Sequence, residues 1–98
     1  MVVAMVSVGL HLPACGSLKE KRGITKALIA RLRRELNVSV AEVGGQDQWQ
    51  RCDLGVAIVA GSEIGARKVA QQVEKIVWRE HRVEPLQIDV EITAPQPR

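Results

Sequence analysis

The chain has 98 residues, with 14 Lys and Arg against 11 Asp and Glu, two Cys, two Trp and no Phe or Tyr. That length supports one domain with a single two-layer core, and the ordinary apolar fraction marks a globular chain. No apolar run reaches the ~18 residues of a membrane span, and the apolar opening lacks the basic n-region and cleavage site of a signal peptide. A cytoplasmic protein without a membrane partner is expected.

The charge is placed unevenly. Between residues 19 and 34 stand Lys19, Lys21, Arg22, Lys26, Arg31, Arg33 and Arg34 against Glu20 alone, so the remainder of the chain sums to −3 against an overall +3. A local basic segment bears on the choice of partner more than the overall balance does.

From Val2 to Leu12 the residues Val2, Ala4, Val6, Val8, Leu10 and Leu12 form an apolar face at period two, which predicts a central strand. Its other face carries Val3, Met5, Ser7, Gly9 and His11. Pro13 and Gly16 break the chain, and Ser17 followed by Glu20 makes a capping box. The helix it opens is predicted from Leu18 to Leu36, with Leu18, Ile24, Leu28, Ile29, Leu32 and Leu36 toward the core. At 100° per residue, Lys19, Arg22, Lys26 and Arg33 share a narrow stripe at the edge of that face. Cations in a first helical turn oppose the macrodipole, which is a reason to suspect an anionic partner. Gly23 costs the helix ~1 kcal/mol relative to alanine.

Asn37 stops the helix, and Val38 to Val43 reads as a short strand. Gly44-Gly45 opens a polar connection through Trp49, before a second central strand at Arg51–Ala60 with Leu54, Val56, Ile58 and Ala60 facing inward. Ser62 caps a second helix running to about His81, buried through Ala66, Val69, Ala70, Val73, Ile76 and Val77. Trp78 falls on the far side of that wheel. Leu86, Ile88, Val90 and Ile92 alternate with Gln87, Asp89, Glu91 and Thr93, which predicts a strand with one buried face. A single domain over residues 1–94 and a flexible tail at 95–98 complete the reading.

The order βαββαβ, closed by two right-handed crossovers, gives an α+β ferredoxin-like fold: a four-stranded antiparallel sheet in the order 4-1-3-2 with both helices on one face. The other face is left open. This topology brings His11, Lys19, Lys21, Arg22, Trp49 and Arg51 toward one end of the molecule.

The motifs His11-Leu12-Pro13, Ser17-Leu18-Lys19-Glu20-Lys21-Arg22, Asn37-Val38-Ser39-Val40-Ala41-Glu42-Val43 and Asp47-Gln48-Trp49-Gln50-Arg51 together resemble the YlxP-like family of small bacterial proteins. The resemblance implies a ferredoxin-like domain of unknown biochemical function. Genes of that family often lie beside those for transcription and translation factors, including a ribosome-binding factor, which points to RNA or ribosome work. This chain has Gly44-Gly45 where members often carry an acidic or polar pair.

Three functions are compatible with these features to different degrees. A basic helix can track phosphates, and the expected reading is a non-catalytic RNA- or ribosome-associated factor contacting phosphates through Lys19, Lys21, Arg22, Lys26, Arg33 and Arg51. The absence of Phe and Tyr argues against base stacking on the sheet. The alternative is a homodimeric interaction module without nucleic acid, built on the open sheet face, with His11, Trp49 and Trp78 as contact residues. An enzyme is not expected: His11 and Cys15 lack an orienting third group, and no phosphate-cradling glycine loop is present. Cys15 and Cys52 read as reduced structural thiols. Neither a cofactor nor a metal site is expected.

Overall fold

Four antiparallel strands in the order β2-β3-β1-β4 carry two helices on one face. The computed structural model describes residues 1–95. Its elements are β1 Val2–His11, α1 Leu18–Glu35, β2 Ser39–Gly44, β3 Arg51–Ala60, α2 Glu63–Arg79 and β4 Glu84–Thr93. This is the expected α+β ferredoxin-like fold, with element ends moved by a residue or two, as fraying ends allow. Apart from Pro95, the tail expected at residues 95–98 lies outside the described residues.

Strand parity decides the two sheet faces. Ala4, Val6, Val8 and Leu10 of β1 are buried under the helices beside Cys52, Leu54, Val56 and Ile58 of β3. Burial of the valine, leucine and isoleucine side chains among them, at ~1.5–3 kcal/mol each, is the main stabilising term. The intervening residues form the open face. There Arg51, His11 and Glu84 lie side by side across β3, β1 and β4, followed by Asp53, Gly9 and Gln87. The next row holds Gly55, Ser7 and Asp89, and the one after it Ala57, Met5 and Glu91.

Both helix starts follow from local chemistry. Ser17 Oγ accepts the Glu20 amide at 3.1 Å, and Ser62 Oγ accepts the Gly65 amide at 3.1 Å. The Glu20 carboxylate reaches back one residue further than a capping box requires, accepting the Gly16 amide at 2.7 Å. α2 lies over β1, β3 and β4, while α1 lies over β2.

The buried line of α1 departs from the sequence reading. It consists of Lys21, Thr25, Leu28 and Leu32, while Ile24, Ile29 and Leu36 pack at its margins. A lysine takes a core position because the β2–β3 hairpin supplies its partners. Gly45, with φ of 76°, turns the chain and offers its carbonyl to Lys21 Nζ at 2.7 Å. Glu42 points inward from β2 and holds the same ammonium at 2.5 Å.

Candidate nucleic-acid interface

The charged residues near the start of α1 separate into three groups once the helix is seated. Lys21 forms the first. Its side chain is 1 % exposed, and it joins α1 to the β2–β3 hairpin through Glu42 and Gly45. Lys21 therefore cannot meet a phosphate, and the expectation that it belongs to an anion-binding set is corrected. A buried ammonium is stable only when paired and hydrogen-bonded. Thr25 and Cys52 complete this interior cluster, the threonine hydroxyl donating to the Cys52 sulfur at 3.6 Å. Burial pushes the Cys52 thiol up to about 11, with the neighbouring Glu42 adding to the effect.

Arg51 and His11 form the second group, and the expectation that Arg51 joins the cations of α1 is corrected. Both are open-face residues by strand parity, so the sheet lies between them and α1. Arg51 is held by Asp53, with Nη2 at 2.7 Å and Nε at 3.1 Å from Oδ1. That bond favours the charged guanidinium and raises its pKa. The side chain lies across Gly9, where a Cβ would come within 3.0 Å of Arg51 Nη2. His11 Nδ1 lies 3.1 Å from Glu84 Oε2 on β4. The loops do meet at one end as expected: the Leu12 amide donates to the Gln50 carbonyl at 3.0 Å. Sharing an end is not sharing a face.

The third group is the outer side of α1. Lys19, Arg22, Lys26, Arg33 and Arg34 are exposed, and none has a carboxylate partner among the described residues. Arg33 makes one further contact, donating from Nη2 to the Val40 carbonyl at 2.8 Å. Arg31 is paired with Glu35, Arg67 with Glu63 and Arg82 with Glu80, while Lys68, Lys75 and Arg79 of α2 are exposed without a carboxylate partner among the described residues. Gly23 sits in this region with open space above it, and it borders a shallow concavity lined by Ala14, Cys15, Glu20, Ile24 and Arg82.

The two tryptophans lie on other segments. Trp49 lies in the turn before β3, half exposed, and Trp78 is 64 % exposed on α2. No cluster of three or more His, Cys, Asp or Glu side chains suited to a metal occurs among the described residues. No helix there is long and apolar enough to cross a membrane.

A family model described as "Protein of unknown function (DUF503)" matches residues 3–90. The chain belongs to that family. The chain is similar to the uncharacterized protein YlxP of Bacillus subtilis (strain 168), with 45 % identity over 58 residues. The match spans 59 % of this chain and 63 % of that relative. Among solved structures, a de novo designed protein with a ferredoxin fold superposes with a TM-score of 0.56 at 18 % identity, covering 99 % of this chain and 88 % of the other. A variant of SnoaB, a cofactor-independent oxygenase from Streptomyces nogalater, gives 0.52 at 8 % identity, covering 99 % and 95 %. At such identities the likeness is one of fold, so this DUF503 chain carries a ferredoxin-like architecture on a family of unknown function.

Proposed function

We propose that this protein is a non-catalytic, cytoplasmic RNA- or ribosome-associated factor that contacts phosphates with the outer side of α1. One observation carries the reading: Lys19, Arg22 and Lys26 share one exposed stripe of α1 with no carboxylate partner among the described residues, whereas Arg31, Arg51, Arg67 and Arg82 are each held by an acid. Unpaired cations in a row release counterions when they meet phosphates, and they need no reorganisation to do so. The opposite sheet face favours the same choice. Besides Arg51 and His11 it carries Asp53, Glu84, Asp89 and Glu91, and its strands hold no Phe, Tyr or Trp on which a base could stack. A non-catalytic role accords with a Cys15 thiol buried in the core, where it donates to the Ser17 carbonyl at 3.2 Å.

The test is the salt dependence of RNA binding. Replacing Arg22 and Lys26 by alanine should weaken binding equally across sequences, and each lost contact should reduce the slope of log K against log[salt] by roughly 0.7. A double variant with the parent's affinity and slope would remove this reading.

A second reading is self-association through the open sheet face, favoured by Met5 and Val59, which are 44 % and 66 % exposed beside Gly55 and Ala57. Sedimentation at micromolar concentration should then give a dimer that dissociates on Val59→Glu substitution. A monomer at every concentration would set this second reading aside.

A further inference from the structure

The two edges of the sheet are finished differently. Along β2, the Arg33 guanidinium donates to the Val40 carbonyl at 2.8 Å, and the Gln46 amide donates to the Glu42 carbonyl at 3.4 Å. Side chains thus occupy backbone acceptors that an added strand would use. Along β4, Pro85 and a register shift opposite Gly9 and Leu10 interrupt the first residues, but from Gln87 to Thr93 no side chain among the described residues bonds to the backbone and the pairing with β1 is regular. Free edges of that length are normally blunted, because they offer an unpaired ladder to any extended chain.

The side chains of β4 say what such a chain should look like. On the open face, Asp89 and Glu91 stand opposite Ser7 and Met5 of β1, and no basic residue lies between them. On the helix side, Ile88, Val90 and Ile92 are only part-covered by α2, and Val90 stays 39 % exposed. The edge therefore alternates acid and aliphatic at the period of a strand. A second copy of β4 would bring the same acids against these acids, and like charges facing each other across strands are destabilising.

We infer that β4 takes an added strand from a protein partner whose extended segment alternates basic and aliphatic residues. Its backbone would complete the ladder at the edge, its cations would lie beside Asp89 and Glu91, and its aliphatic side chains would extend the row of Ile88, Val90 and Ile92. Main-chain bonds supply affinity in this mode, and the alternating side chains supply selectivity. The inference uses no residue of α1 and is independent of RNA binding.

The experiment uses the full chain, a capped peptide of alternating lysine and valine, and its glutamate–valine counterpart. The lysine peptide should bind more tightly, by about fivefold if two cross-strand charge pairs contribute at their usual strength. It should also slow amide exchange within Glu84–Thr93. Asp89→Lys with Glu91→Lys should reverse the preference between the peptides. Both positions are exposed, so the fold should persist, and Glu91→Lys alone should abolish most of the preference. Equal binding of the two peptides, protection confined to other strands, or an unaltered preference in the reversed variant would each overturn the inference.

Discussion

The inner and outer sides of α1 carry the same kind of charge and do opposite things with it. Lys21 and Arg22 are neighbours in sequence, yet one is buried against Glu42 and Gly45 while the other stands in solvent with no carboxylate partner among the described residues. A 100° step of the helix separates them. On the inner side a cation is a structural rivet, acceptable because its desolvation is offset by a carboxylate and a carbonyl. On the outer side a cation contributes little to stability, since exposed charges are well solvated. What it contributes instead is potential available to a partner.

The strongest way to break this comparison is to neutralise the inner residue. Lys21→Met should destabilise the fold by about 3 kcal/mol, at the lower edge of the range for a broken buried pair, because the Glu42 oxygen it leaves is buried although the side chain as a whole is 22 % exposed. Urea denaturation should report the loss, and Glu42→Gln in the same chain should recover part of it. The Arg22→Ala and Lys26→Ala double variant should lie within about 0.5 kcal/mol of the parent. Equal costs for the two sets would erase the distinction between them.

Acid titration sharpens the comparison at a third cation. The Arg82 bond lowers the Glu80 pKa from 4.5 to about 2. A depressed carboxylate pKa adds stability above its unfolded value and loses that stability as protons bind the folded form. The contribution should be complete above pH 4.5 and fade as the pH falls toward 2. Arg82 is 45 % exposed, so solvent screening limits the effect to about 1 kcal/mol. Glu80→Gln should flatten this part of the stability profile. It should also free Arg82, which lines the concavity beside Gly23, and steepen the salt dependence of RNA binding. A variant profile that superposes on the parent's would contradict the pairing.

The smallest effect concerns Gly23. A Cβ there meets nothing within 4 Å, so Gly23→Ala should stabilise the helix by about 0.5–1 kcal/mol through propensity alone. A destabilised variant would mean that the outer surface of α1 is more closely covered than its open surroundings indicate.

Much of the architecture could be read from the chain directly. Period-two patterns placed β1, β3 and β4, and the serines at 17 and 62 placed both helix starts. The buried line of α1 is less legible. Apolar periodicity put Leu18 and Ile24 in the core and left Lys21 outside, because a pattern of apolar residues has no means of finding a buried lysine. The signal that could have found it is Glu42, an acid at an inward position of β2, in register with Leu54 of β3. An inward carboxylate needs a cation, and Lys21 starts the helix that packs over that strand.

Sequence by itself determined the order of elements, the sheet order and the concentration of cations on α1, since these depend on local periodicity, turn chemistry and handed crossovers. Tertiary structure decided which of those cations are free. Lys21 was taken by the hairpin, Arg51 was turned to the far side of the sheet and clasped by Asp53, and Lys19, Arg22 and Lys26 were left to solvent. The physical reason is that pairing is a matter of distance in space. A charge has the same sign wherever the chain carries it, but its availability depends on which carboxylates and carbonyls the packed elements bring within about 3 Å.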